Sequence, residues 1–445
     1  MFPDLAAQVV EPTTLEDLAR SMFPGASPAE ADAAARLEPG ENPDIAAGFT
    51  YLGQFIDHDI TFDPVSSLER QNDPAALRSF RTPRFDLDSL YGSGPVASPH
   101  LYDQADSVKL LVGHNLGVDE ETDDLPRNHQ GRAIVTDPRN DVHVIVSQLH
   151  LAFIRFHNAV VDHLRNQFFP GHDLFSEAQR LTRWHYQWVV VEDYLRGVAG
   201  SDVVDDILVV DPVSGARTVD LQYYVWEEEP FIPVEFSAAA FRFAHSQVRS
   251  RYQLNTGGEL IHILVPSLAP NPFQHLGGFR PLPKGWRIEW DRFFAMGGSS
   301  PQLSRRIDTK MTGSFAQLPV AVDPGRRSLA LLDLLRGRAL GLPSGQAVAD
   351  AMGTSVADAD LDLHGDTPLW YYLLREAEIV EGGRRLGPSG GRIVAEVLLG
   401  MLAADPASYL HASPAWVPEL PAQHTGHFTV ADLLRFAGPQ ERTTS

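Results

Sequence analysis

Apolar residues recur at three- and four-residue spacings over 144–168 (VIVSQLHLAFIRFHNAVVDHLRNQF), the period of a helix with one buried face. The same period predicts a second long helix over 176–198, carrying Trp184, Trp188 and Tyr194, and a third over 236–252. Shorter helices are expected over 48–63, 328–340 and 390–403, with a helical patch at 14–22 inside a first stretch rich in Pro, Ala and acids. Gly341, Leu342 and Pro343 form a stop signal after 328–340. The intervening stretches read as loops: 63–95 is rich in Pro and Arg, 125–141 is polar, and 253–325 is rich in Gly and Pro. Strand signals are few. The expected class is mainly α, a single large helical domain over 48–437. Residues 1–47 read as an N-terminal extension packed on that domain, and 438–445 as a frayed tail.

Composition narrows the partners. The 445 residues include 36 Lys and Arg against 58 Asp and Glu, a formal net charge of −22, which disfavours nucleic acid and anionic membrane. No apolar run approaches the roughly 20 residues of a membrane span. The first residues lack the positive and apolar regions of a signal peptide, so a cytoplasmic protein is expected, or one secreted by a route without a recognisable signal. With no cysteine, disulfides, thiolate catalysis, iron–sulfur clusters and Cys-ligated zinc are excluded. Any metal or cofactor must be held by His, Asp, Glu, hydroxyls, Tyr, Met or backbone carbonyls.

Five polar segments carry candidate chemistry. In GQFIDHDITFD, a helix places Gln54, Asp57 and His58 on one face at i, i+3 and i+4, with Asp59 about 100° round, facing a different site. The bland alternative is a solvated face with a salt-bridged His. In RTPRFDLDSLYG, Thr82, Arg84, Asp86 and Asp88 alternate. An extended segment would point a hydroxyl, a carbonyl and two carboxylates at one place, which suits Ca²⁺ once Asp59 adds a further oxygen. An Asp-rich turn is the plainer reading. TDPRND puts Arg139 at the entrance of the long helix, where a capping role also serves. AAAFRFAHSQVRSRY sets His245 among alanines that let something flat approach, or simply buries a satisfied histidine. In LALLDLLRGRALGLP, Asp333 lies among leucines and needs a cationic or N–H partner, His245 or the nearby Arg336. His150, His157 and His163 hint at zinc, but no carboxylate partner motif accompanies them.

Together, and in this order, GQFIDHDITF, RTPRFDLDSLYG, DPRND with LHLAFIRFHN, FRFAH and LDLLRGRALGLP resemble the animal-type haem peroxidase superfamily, in its bacterial form, over about residues 48–343. GGRIVAEVLLG near the C-terminus resembles the bacterial members too. The resemblance implies a haem peroxidase that reduces H2O2 and oxidises small electron donors, halides among them. His58 matches the distal acid–base histidine, Gln54 the distal glutamine, Arg139 the distal arginine and His245 the proximal iron ligand. Asp333 falls where many members have an Asn hydrogen-bonded to the proximal imidazole. Arg242 and Arg336, close to these two in sequence, are further candidates on the cofactor side. Asp59, Thr82, Arg84 through its carbonyl, Asp86 and Asp88 match a calcium loop, and Asp57 matches the Asp that is esterified to haem in mammalian members.

Three departures bear on this. Val142 stands where a second ester-forming Glu is found, and His143 stands where a sulfonium-forming Met is found. At most one covalent link to haem b, through Asp57, is therefore expected. Arg242 occupies the position of the tyrosine used by the fatty-acid dioxygenases of the superfamily, which counts against that activity. A non-catalytic calcium- and haem-binding protein is the other alternative. The retained Gln54, His58 and Arg139 argue against it.

Overall fold

The apolar period at 144–168 is realised as one 23-residue helix, Val144–Asn166, whose inward positions from Val144 to Leu164 are buried in the middle of the fold. By length and composition it could cross a bilayer, against the sequence expectation, but 83% of its most apolar stretch is covered by the rest of the chain. In the computed structural model the described residues are 1–23, 40–61, 83–114, 122–167, 173–226, 228–264, 274–318 and 327–438. Their longer helices are α1 (Pro12–Ser21), α2 (Ala47–Ile60), α3 (Val144–Asn166), α4 (Leu174–Val189), α5 (Leu329–Ala339), α6 (Gly345–Met352), α7 (Leu369–Val380), α8 (Pro388–Ala404) and α9 (Val430–Ala437). Among the described residues, strands form only four two-stranded antiparallel ribbons. The fold is mainly α.

Helix α3 packs against α2, α4 and α9. Phe55 of α2 stacks on Phe153 of α3, with ring centroids 4.4 Å apart and planes at 7°, and both rings are fully buried. Truncating either to Ala would cost about 3–5 kcal/mol. This contact sets the height of α2, and therefore of the face that carries Gln54, Asp57 and His58. Gly53 allows close approach on another side: a Cβ there would lie 2.3 Å from the Tyr194 hydroxyl. The α4 helix continues through a π turn, Val190–Leu195, into Arg196–Ala199, so the expected helix over 176–198 is present with a local bulge. Residues 1–23 lie on the same core, with Leu15 and Ala19 buried and the N-terminal ammonium 3.0 Å from Glu235.

One expected element is absent. Residues 236–252 do not form a long helix. A short helix, Val234–Ala238, gives way at Ala239 to a 3-10 turn, Ala240–His245, and then to a strand, Arg251–Gln253. Side chains at i and i+3 eclipse in a 3-10 turn. Arg242 and His245 thereby project together, and both reach Asp333 on α5. A tertiary contact about ninety residues away overrides the local helical preference of the alanine run.

Candidate active site

His58 and His245 line the same cavity, of about 370 Å³, together with Gln54, Asp57, Val142, His143, Arg242 and Ala244. The face read from GQFIDHD is thus the face that α2 turns to the cavity, while Asp59 points elsewhere. Arg336, one turn beyond Asp333, is not among the lining residues.

On the α2 side, His58 is 6% exposed, and its Nδ1 lies 2.8 Å from Asn140 Oδ1. A carbonyl oxygen only accepts, so Nδ1 carries the proton and Nε2 is the free base. The Asn140 amide donates in turn to Nδ1 of His150 at 3.0 Å. Burial lowers the His58 pKa, and the nearby Arg139 charge lowers it further, with a partial offset from Asp57. A neutral imidazole results. Nothing in the sequence marked Asn140 beyond its place next to Arg139, and His150 read there only as a weak hint of zinc.

Arg139 does not line the cavity. Its guanidinium is gripped by Asp137, at 2.8 Å from Oδ2, and donates to the carbonyls of His58 (3.0 Å) and Thr61. It also sits 3.9 Å from the Asp57 carboxylate. The Thr61 hydroxyl and N–H both donate to the Asp57 carbonyl. A cation at the C-terminus of α2 suits the helix dipole and holds the turn that carries His58. The sequence puts Arg139 at the entrance of α3; the side chain instead serves the end of α2, and the α3 entrance is capped by His143. Val142 and His143 are held by backbone bonds to a strap, with Gly278 N–H donating to Val142 and Val144 N–H to Leu276, at 2.9 and 2.8 Å. Gly278 is needed there because a Cβ would lie 1.9 Å from the Asp141 carbonyl.

On the other side, Nδ1 of His245 donates to Asp333 Oδ2 at 2.6 Å, and Arg242 donates to Oδ1 at 2.8 Å. Burial pushes the Asp333 carboxyl up, but His245 and Arg242 outweigh it and hold the group below the usual carboxylate value. Asp333 is therefore ionised, and the free Nε2 of His245 is available as a ligand. Between its two candidate partners, Asp333 takes His245 together with Arg242.

Asp59, Asp86 and Asp88 form a separate cluster, with carboxylate oxygens within 4.8 Å of one another. Helix α4 fixes the loop that brings them there: Gln187 donates to the Phe85 carbonyl at 3.0 Å, and Arg183 to that of Asp86 at 2.5 Å. Leu87, between the two aspartates, adopts the left-handed region at φ 55°, which is strained for a branched residue. The Arg84 side chain turns away to Asp405, at 3.8 Å. Thr82 lies outside the described residues.

A family model, animal haem peroxidase, matches residues 70–368. The chain belongs to the animal haem peroxidase family. The match takes in Arg139, His245 and Asp333 and begins just after His58. Thyroid peroxidase of Rattus norvegicus is 24% identical over 331 residues, 69% of this chain and 34% of that protein. Peroxidase mlt-7 of Caenorhabditis elegans is 26% identical over 214 residues, 47% of this chain and 26% of that protein. The chain thus spans about a third or less of the length of these relatives. Among solved structures, Peroxidase A from Dictyostelium discoideum superposes with a TM-score of 0.64 at 15% identity, covering 98% of this chain and 90% of that one. A fatty acid alpha-dioxygenase of Arabidopsis thaliana superposes with a TM-score of 0.57 at 16% identity, covering 97% and 74%. Both of these likenesses concern the fold.

Proposed function

We propose that this family member is a peroxidase that binds haem b in the cavity between α2 and the Ala240–His245 turn, reduces H2O2 and oxidises small electron donors, halides included. The observation that carries the reading is that two imidazoles of fixed tautomer line one cavity, each with Nδ1 bonded and Nε2 free. The residues fit the group. His245 Nε2 would hold the iron, Ala244 leaves room beside it, and Asp57 is the carboxylate lining the cavity that could carry an ester, since Val142 cannot. When bound, the haem supplies the electrons that cleave the peroxide O–O bond.

The chain's own residues handle the protons. His58 Nε2 takes the proton of the peroxide oxygen and returns it to the departing oxygen, base then acid at one atom, because burial keeps the ring neutral beforehand. The Arg139 charge, next to the His58 backbone, favours that neutral state and steadies the helix end. Asp59, Asp86 and Asp88 offer hard oxygens suited to Ca²⁺, and an ion there would fix Asp59, covalently adjacent to His58. The dioxygenase reading lacks its tyrosine, because Arg242 holds that position and is bonded to Asp333 and to the Ser237 carbonyl. The test is to purify the chain with haem, measure H2O2-dependent oxidation of a phenol and of bromide, determine calcium by atomic emission and extract with acid–acetone. Turnover of peroxide with one calcium per chain is expected. Haem incorporation without any peroxide turnover would sink the reading.

A further inference from the structure

His143 is not used in the proton transfer above, yet it is buried in the cavity wall and bonded at both ring nitrogens. Its Nδ1 lies 3.2 Å from the backbone N–H of Val146, at the start of α3. A backbone N–H can only donate, so Nδ1 is the acceptor and carries no proton. A neutral imidazole has one N–H, which must then be at Nε2. That atom lies 2.7 Å from Oε1 of Gln54. The bond fixes which end of the Gln54 amide is committed: the oxygen accepts from His143, and only the two N–H donors remain for the cavity that Gln54 lines.

We propose that His143 is the positioning residue of this cavity, locking the Gln54 amide with its N–H groups toward the space beside His58 and so selecting small anions and other hydrogen-bond acceptors there. The proposal rests on the peroxidase reading for its use, though not for its geometry. A thioether at position 143 could not do this, because it has no proton to give, and an amide without such a partner could turn either its oxygen or its nitrogen inward. Burial pushes the His143 pKa down to about 3, so the neutral form that the lock needs persists over the working range. The edge of the Tyr51 ring, 5.0 Å from the His143 ring by centroids, and the strap pairing Gly277 with His143 leave the imidazole little room to flip.

The experiment has two readouts on the full chain. Nitrogen NMR of isotope-labelled histidine, with His143 assigned by its loss in His143→Asn, should show a neutral ring protonated at Nε2 and unchanged down to about pH 4. Bromide NMR line broadening then reports anion binding. Asn caps helices well, so His143→Asn keeps the start of α3, yet its shorter side chain does not reach Gln54. Its bromide affinity should fall about tenfold, the loss of one oriented hydrogen bond. Gln54→Glu should lose bromide binding while His143 keeps its tautomer, since a carboxylate still accepts from Nε2 but has nothing to donate. The double variant should be no worse than Gln54→Glu, as coupled residues require. A proton found on Nδ1, or bromide bound by His143→Asn as tightly as by the parent, overturns the proposal. A chain that binds bromide but does not turn over peroxide overturns the peroxidase reading alone, and the tautomer still decides this one.

Discussion

His58 gives its Nδ1 proton to a neutral amide, Asn140, at 2.8 Å, whereas His245 gives the same proton to a carboxylate, Asp333, at 2.6 Å. The surroundings extend the contrast. Asn140 uses its amide N–H on a third imidazole, His150, and the neighbouring Gln54 is bonded to His143, so the web of direct partners of these rings is uncharged, while the Arg139 charge reaches only the His58 backbone. On the other side, Asp333 is clamped between His245 and Arg242, and the web is ionic. The chemistry explains the difference. A base that must take up a proton and release it needs orientation without added charge, so that burial leaves it neutral. A ligand gains from an ionised partner that pulls on its Nδ1–H and strengthens electron donation at Nε2. One residue type thus serves two purposes because its partner differs.

The largest break in the comparison is to remove the working ring on the neutral side. His58→Leu should lower kcat/KM for H2O2 by about 10³-fold, within the usual range for a positioned acid–base group, while haem content and the His245 environment stay as they were. Stopped-flow mixing with peroxide measures it. A loss below tenfold would mean that proton transfer does not run through His58.

The next step makes the neutral side resemble the ionic one. Burial and the Arg139 charge put the His58 pKa below its ordinary value, so the acid limb of the kcat/KM profile should lie below pH 6.5. Asn140→Asp places a carboxylate against Nδ1–H. The protonated ring is then favoured, and the acid limb should move up by about 1–3 units. Near pH 6 the variant should be about tenfold slower or worse, recovering as pH rises. Because the donor to His150 is also lost, a stability cost of about 1–3 kcal/mol should appear in thermal unfolding. An acid limb that stays in place would show that some group other than His58 titrates in the free enzyme.

What the sequence discloses divides along the same line. The face of Gln54, Asp57 and His58 is legible because helical spacing alone assembles it, and α3 is legible from its long apolar period. The grouping of Asp59 with Asp86 and Asp88 follows from alternation plus a count of missing oxygens. The web around His58 is not legible. Asn140 meets His58 across 82 positions and His150 across ten, and no spacing rule selects either pair. Arg139 is identifiable by its motif, but its grip on the end of α2 depends on Asp137 and Thr61 lying beside it in the fold. The break in 236–252 is hidden for a different reason: its alanines favour helix locally, and the 3-10 turn wins only because Arg242 and His245 share Asp333.

The smallest effect comes from making the ionic side resemble the neutral one. Asp333→Asn keeps an oxygen that can accept from His245 or from Arg242 but removes the negative charge between them. A hydrogen bond to a charged group is worth about 1–2 kcal/mol more than one to a neutral group, and tenfold, about 1.4 kcal/mol, is 59 mV for one electron. The Fe(III)/Fe(II) midpoint potential should therefore rise by about 40–80 mV, measured by spectroelectrochemical titration. Arg242 bounds the effect, since its guanidinium already draws on the same carboxylate. Arg242→Ala should accordingly shift the potential the opposite way, by less, as Asp333 turns its full charge on His245. The pair of variants separates polarisation from packing: a cavity or a lost contact at either position would move both potentials in the same direction, whereas competition for one carboxylate requires opposite signs.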